Sequence, residues 1–269
     1  MGKINFNPRE DNGLELVRAI IFERLRKDTN WNQFDLTGEG FNPYVEFVGE
    51  VVEGRRRITA LVQDVMWELI IQGVITPGRD TSNPNLPWFH LTEYGKKVLS
   101  AGEFLPHDPG GYLDKFRAVM GRVDPTVDTY LSESLNCFTR GCLVASVVML
   151  GVASERVFLL ICEAFKNAIE NQKEKTDFER LLEIRSIKPK MDWIFKKVEE
   201  LQRRTPKPFP DNVTIMLVSI FDFIRNQRND LGHPRETPPK VSRDDAYVNL
   251  RIFPGYAKMG NLIVDFLVS

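Results

Sequence analysis

Apolar residues near the C-terminal end of the chain recur at the spacing of one helix face. Leu217, Phe221, Ile224 and Leu231 are three, four or seven positions apart, which predicts an amphipathic helix over 213–232. The same rhythm continued from Ile224 places Arg228 next in the apolar stripe. An arginine in a core seam is costly unless it is paired or hydrogen-bonded. The pattern therefore singles out Arg228.

Polar residues gather where this predicted helix ends. Asn229 and His233 are four positions apart, so they share one helix face with Arg225. Gly232 and Pro234 are expected to stop the helix. His233 is then left at a helix end, where an imidazole can reach a ligand.

The first hundred residues show a different order of elements. Thr92 is the expected cap of a helix that follows two short β-type runs around a turn-rich insert. The order helix, helix, hairpin, helix is the layout of a winged helix-turn-helix, and the phrase from Phe89 to Gly95 resembles the end of the wing in many such domains. The predicted elements are helices over 14–26 and 58–72, a hairpin from 73–78 and 88–91, and a helix over 93–100.

A Pro- and Gly-rich segment at 103–111 is the expected domain boundary. We expect a mainly α protein with a winged-helix-like domain over 1–103, a linker and bridging helix over 104–124, and a helical bundle over 125–269. Ser242 and Asp245 form a predicted capping box for a last helical region that Pro254 must kink or split. Asp124 is the expected N-cap of a helix that begins at Pro125. The other predicted helices are 113–120, 125–138, 142–170, 177–187 and 189–204.

Composition narrows the function less than the motifs do. A net charge of −1 gives no general attraction to nucleic acid, although the stretch 185–207 is basic and could track phosphates or form a solvated helix face. The three cysteines lack a C-x-x-C spacing and fit a reducing compartment better than a zinc site or a disulfide framework. Glu155 and Arg156 interrupt the longest apolar run, which favours a buried bundle helix over a membrane span. With no secretory signal visible, we expect a cytoplasmic protein without a membrane partner.

The segment Arg228 to His233 resembles the motif of HEPN domains, in which an arginine, a polar residue, three further residues and a histidine follow one another. HEPN domains are all-helical modules, and many are metal-independent ribonucleases. The resemblance covers roughly the last 130–145 residues, within the usual size of one domain. It implies endoribonuclease activity that needs neither metal nor cofactor, and a homodimer that brings two copies of the motif together. It also implies a toxin–antitoxin, antiphage or RNA-processing setting, in which an antitoxin or another defence protein would be a partner. Some toxin versions carry a tyrosine two positions after the histidine; here that position is Arg235, which puts control by nucleotidylation in doubt.

The resemblance assigns roles to the motif residues. His233 can exchange a proton near neutral pH, and Arg228 can brace the phosphate as charge builds in the transition state. Asn229 can orient either the histidine or the phosphate. The alternative is structural: His233 would bond free helix-end carbonyls, and Arg228 would pair with an acid such as Glu155. The residues expected to support the site or contact RNA are Arg225, Glu155 and Asp230.

Two other functions compete with the nuclease. The first is a non-catalytic HEPN module that binds RNA, a nucleotide or a partner protein. The second is a DNA-binding winged-helix regulator whose bundle serves for dimerisation or sensing. Residues 1–103 hold 12 Lys and Arg against 15 Asp and Glu, and the acidic Asp64 and Glu68 lie on the outer side of the second helix. This balance favours protein contact or substrate positioning over DNA binding for the first domain, despite the basic run 55–57.

Overall fold

The computed structural model describes residues 3–7, 9, 13–27, 41–86, 88–100, 105–232, 236 and 240–269. Within these residues the chain forms ten α-helices and four three-residue strands, which confirms a mainly α fold. Two compact units are present: Met1–Lys115 with Thr139–Gly141, and Phe116–Phe138 with Cys142–Ser269.

The first unit contains the helices and hairpin that the sequence predicts. β3 and β4 pair antiparallel, with Thr76 opposite His90, and form the predicted hairpin. Thr92 caps α3, because its Oγ1 accepts a 2.8 Å hydrogen bond from the Gly95 N–H. The parallel pair β1–β2 was not predicted. The elements are β1 (Ile4–Phe6), α1 (Gly13–Lys27), β2 (Val45–Phe47), α2 (Val51–Ile71), β3 (Ile75–Pro77), β4 (Phe89–Leu91) and α3 (Glu93–Ser100).

The second helix begins at Val51, seven residues before the predicted start at 58. Its first two turns show no apolar stripe, because Val51 and Val52 are exposed and the inward position is Gly54. A Cβ at Gly54 would collide with the Phe47 ring, so the missing side chain makes room for β2. The hydrophobic periodicity that marks a helix appears only from Ile58 onward.

Residues 105–108 are buried rather than exposed. His107 is fully buried, and its Nε2 lies 3.1 Å from the Tyr94 hydroxyl. Asp108 is buried as well, and its Oδ1 accepts from the Gly111 N–H in the first turn of α4 (Pro109–Met120). Burial raises the pKa of Asp108, against the opposing effect of that hydrogen bond. The first compact unit thus continues to Lys115, beyond residue 103.

The second unit is built around α6, which packs against α9 and α10. Asp124 caps α5 as predicted, accepting from the N–H groups of Thr126 and Val127. The predicted capping box of α10 is confirmed. The helix continues through the buried Pro254 and is not split there. The helices are α5 (Pro125–Thr139), α6 (Leu143–Ala168), α7 (Gln172–Glu183), α8 (Lys188–Gln202), α9 (Val213–Gly232) and α10 (Arg243–Val268).

Two features of this unit bear on the sequence predictions. α7 begins at Gln172, before the predicted 177, because the Asn171 side chain accepts a hydrogen bond from the Glu174 N–H and so caps the helix. It ends at Glu183 rather than at 187. By length and composition alone, α6 could cross a membrane, but half of the residues in its most apolar 18-residue stretch are buried within the protein.

Candidate functional site

α9 carries the stripe that contains Arg228. Val213, Leu217, Phe221 and Ile224 are all buried, so the predicted apolar face is confirmed up to Ile224. One turn further on, the side chain of Arg228 is 30% exposed. Arg228 therefore lies where the buried face of α9 opens toward solvent.

A glycine of α6 makes room for the stem of Arg228. A Cβ added at Gly151 would come closer than 3.0 Å to both Cβ and Cγ of Arg228, a separation that real Cβ atoms essentially never show. Two turns away, the rings of Phe158 and Phe221 stack with their centroids 4.9 Å apart. Because residue numbers rise along α6 as they fall along α9, the two helices run antiparallel. Gly151 thus sets how closely α9 approaches α6 at Arg228.

The guanidinium of Arg228 has two contacts within the described residues. Its Nη1 donates a 2.9 Å hydrogen bond to Oδ1 of Asn229 and lies 3.5 Å from Oε1 of Glu155. Glu155 is one helical turn beyond Gly151 on α6, and its side chain is 27% exposed. The structure therefore brings Arg228, Asn229 and Glu155 together in a half-buried group.

The two neighbouring arginines, Arg156 and Arg225, differ in their ion pairs. Arg156 pairs with Asp124 at 3.0 Å and with Glu163 at 2.8 Å. The hydrogen bond from Arg156 lowers the pKa of Asp124 and raises the pKa of Arg156 itself. Arg225 lies one turn before Asn229, and its Nη1 is 3.9 Å from Oδ1 of Asp222, a long contact. Arg156 thus ties α6 to the start of α5, whereas the ion pair of Arg225 stays within α9 and is long.

A surface cleft of about 230 Å³ lies beside the motif, between the end of α9 and the start of α10. Asp230 is exposed and lines this cleft. Gln227 also lines it, and its Oε1 accepts a hydrogen bond from Nδ2 of Asn249. Asn249 is fully buried in α10, and its Oδ1 has no hydrogen-bond partner among the described residues. The remaining lining residues are Leu231, Lys240, Val241 and Asp245.

Sequence reasoning missed two residues of this region. Gly151 could have been noticed as a glycine inside a long apolar helix, where it costs stability relative to alanine. The buried Asn249 gave no signal, since an asparagine in an amphipathic helix is ordinarily assigned to the solvent face. His233, the predicted proton-transfer residue, lies outside the described residues; in sequence it follows Gly232, the last residue of α9.

The other two histidines have local partners. Nδ1 of His90 lies 2.6 Å from the Gly78 carbonyl oxygen in the hairpin, and His107 meets Tyr94 in the core of the first unit. No group of three or more His, Cys, Asp or Glu side chains within the described ranges could hold a metal ion.

The first unit presents an apolar patch on α2. Trp67 and Ile71 are 60% and 64% exposed and lie one turn apart. A cleft of about 520 Å³ borders Trp67 and is also lined by Leu14, Gln63, Asp64 and Glu68. Exposed aromatic and aliphatic side chains on one helix face are typical of protein contact surfaces.

Comparison with known proteins adds no relative: no protein-family model, no curated protein and no solved structure matches this chain.

Proposed function

We propose that the second unit is a HEPN-type bundle and that the protein is a metal-independent endoribonuclease. The observation that carries this proposal is the half-buried guanidinium of Arg228, held by Glu155 and Asn229 five residues before His233. A structural arginine would be expected to use most of its donors on the protein. Arg228 uses only one nitrogen in its described contacts.

The part of the Arg228 guanidinium that bonds no other described residue supports a phosphate-binding role. Both described contacts of Arg228 pass through Nη1, so Nε and Nη2 make no bond to another described residue. Guanidinium N–H pairs bind phosphate oxygens in a bidentate manner. Glu155 and Asn229 both contact Nη1, so the edge formed by Nε and Nη2 can face a phosphate. Arg228 is thus suited to hold a scissile phosphate, with Glu155 and Asn229 as positioning residues.

The proposed reaction is an internal transesterification of RNA. The 2′-hydroxyl attacks the adjacent phosphorus, and the bond to the 5′-oxygen of the next nucleotide breaks. A base takes the proton of the 2′-hydroxyl and an acid gives one to the departing 5′-oxygen; His233 performs one of these transfers, and water or the second His233 of the proposed dimer performs the other. Arg228 stabilises the negative charge that builds on the phosphoryl oxygens. The products carry a 2′,3′-cyclic phosphate and a 5′-hydroxyl.

The proposal extends to the assembly of the protein. The seam of α9 opens at Arg228, and a two-fold contact at this edge would bring two copies of the motif to one groove. We propose such a homodimer, active on RNA in the cytoplasm in a toxin–antitoxin or antiphage setting. The non-catalytic HEPN module remains the alternative within the same fold and is distinguished by the experiment below.

A second proposal concerns the first unit. Its order of two helices, hairpin and helix supports a winged helix-turn-helix assignment. The exposed Trp67 and Ile71 support a role in protein contact. Arg56 and Arg57 are exposed as well, which keeps a DNA-binding regulator as the rival. Strong, salt-dependent and sequence-specific binding to duplex DNA would favour that rival.

The experiment that tests the nuclease is cleavage of mixed RNA by the purified chain in EDTA. Arg228→Ala and His233→Ala should each lower the cleavage rate by at least about 10²-fold, roughly 2.7 kcal/mol of transition-state stabilisation. Arg180→Ala is the control, because Arg180 is 75% exposed on α7 and its ion pair with Asp177 is a long contact of 3.7 Å. Melting temperatures of all three variants distinguish lost chemistry from lost folding.

A substrate with a single 2′-deoxy residue at the scissile position tests the mechanism itself. It should be bound but not cut, because the attacking hydroxyl is absent. Continued cutting at that position would rule out the transesterification. Binding of RNA without any cleavage by the native chain would favour the non-catalytic module instead.

A further inference from the structure

The turn between α5 and α6 brings two of the three cysteines together. α5 ends at Thr139, and Gly141 has a φ of +76°, the left-handed conformation that commonly terminates helices. The N–H of Cys142 then donates a 2.8 Å hydrogen bond to the carbonyl oxygen of Cys137. This closure over six residues is the Schellman motif, in which the side chains of the first and last residues frequently make contact.

That hydrogen bond limits the separation of the two Cα atoms. The nitrogen of Cys142 lies 2.8 Å from the carbonyl oxygen of Cys137. Standard bond lengths place that nitrogen about 1.46 Å from its Cα and a carbonyl oxygen about 2.4 Å from its own Cα, so the Cα–Cα distance cannot exceed about 6.7 Å. Disulfides usually join Cα atoms about 4.4–6.8 Å apart. The Cα atoms of Cys137 and Cys142 therefore lie within the upper limit of separation for a disulfide.

The three cysteines differ in exposure and reactivity. Cys142 is exposed and Cys137 is partly buried, and both are thiols. Cys162 is only 1% exposed, and burial raises its pKa to about 12. Because the thiolate is the nucleophile in oxidation and disulfide formation, Cys162 is inert at neutral pH. The chain thus carries a close thiol pair and an internal unreactive control.

We propose that Cys137 and Cys142 form a reversible intramolecular disulfide when the protein meets a peroxide. The exposed Cys142 thiolate attacks one oxygen of hydrogen peroxide, which gives a sulfenic acid and, after protonation, one water. The Cys137 thiolate then attacks the Cys142 sulfur and displaces hydroxide, which leaves as a second water. Two thiols are oxidised by two electrons, and one peroxide is reduced to two waters. A dithiol reductant restores both thiols by exchange. This pair is independent of the proposed nuclease chemistry.

The sequence allows a direct mapping experiment. Arg140 lies between the two cysteines, so trypsin separates them into peptides 123–140 and 141–156, while Cys162 falls in peptide 157–166. The native chain is treated with hydrogen peroxide, blocked with N-ethylmaleimide under denaturing conditions and digested without reductant. The monomer band of a non-reducing gel should yield peptides 123–140 and 141–156 as one species, two hydrogens lighter than their sum. Peptide 157–166 should carry the maleimide.

Three variants complete the test. Cys162→Ser should still form the linked species, and dithiothreitol should release both peptides from it. Cys137→Ser should give no linked species, and its Cys142 should advance to sulfinic acid because no resolving thiol is present. Recovery of peptides 123–140 and 141–156 only as separate species from oxidised Cys162→Ser would overturn the proposal. So would linkage found solely in a disulfide-bonded dimer band.

Discussion

Replacement of Gly151 by alanine tests whether the close approach of α6 and α9 positions Arg228. The added Cβ would lie within 3.0 Å of both Cβ and Cγ of Arg228. Carbon atoms in favourable contact are about 3.5–4.0 Å apart. The Arg228 Cβ is fixed to the α9 backbone and cannot rotate away. Because the added Cβ would lie only 2.4 Å from both atoms, the helices must separate by about 1 Å at this point.

The expected loss of stability is the difference of two opposing effects. Overpacking of a well-packed contact costs about 1–3 kcal/mol. Alanine returns about 1 kcal/mol through its higher helix propensity. We expect the free energy of unfolding of Gly151→Ala to fall by up to about 2 kcal/mol, or about 2–4 °C in melting temperature per kcal/mol for a unit of this size. If Arg228 acts on the phosphate, cleavage should fall further than stability, because a misplacement of about 1 Å can cost 10²-fold in rate.

Gly255→Ala is the matched control for this change. Gly255 also lies inside a helix, and a Cβ there would meet only the terminal Cε of Met216, at 3.2 Å. That flexible methyl group can move, so the control should be as stable as the native chain or up to about 1 kcal/mol more stable. Calorimetric melting curves, resolved for the two units, give the comparison. If Gly151→Ala were as stable as Gly255→Ala and cleaved RNA at the native rate, the positioning role of Gly151 would be refuted.

Three further predictions rest on separate contacts. Asp124→Asn keeps an N-cap for α5 but removes the charge facing Arg156, so stability at pH 7 should fall by roughly 1 kcal/mol. Because Arg156 lowers the folded-state pKa of Asp124, this stabilisation is present above the unfolded-state pKa and is lost as the pH falls through the folded-state pKa. The free energies of unfolding of the native chain and of Asp124→Asn, measured by urea titration, should therefore converge at low pH. A constant difference at all pH values would contradict the charge argument. The free energy of unfolding of Asn249→Leu should stay within about 1 kcal/mol of the native value, because the change removes a buried oxygen that no described residue satisfies. Asn249→Ala should lose about 1–3 kcal/mol, because it leaves a cavity. Equal losses in the two variants would mean that the hydrogen bond to Gln227 matters more than packing. The proposed dimer should tighten in sulfate and loosen at low anion concentration by light scattering, and a monomer fully active at nanomolar concentration would rule out a shared site.

The sequence predicted helices well where buried positions repeat every three or four residues. α9 begins at the predicted residue, Val213, because its apolar stripe is a local signal, whereas the predicted stop after Gly232 falls at residues outside the described ones. The cap at Thr92 and the box at Ser242 were also local and are confirmed. The start of α2 was wrong because Gly54, its inward residue, has no side chain to contribute to the pattern. The β1–β2 pair was missed because a parallel pairing of three-residue strands leaves no local signature.

At the candidate site, the sequence by itself predicted that an arginine occupies an apolar stripe and offered Glu155 as one acid with which it could pair. Only the tertiary structure decided that Gly151 admits the arginine stem and that the buried Asn249 donates a hydrogen bond to Gln227. These contacts join residues of different helices, and they depend on the register at which α6, α9 and α10 pack. Periodicity shows which face of a helix is buried, but it carries no information about which turn of a neighbouring helix that face will meet.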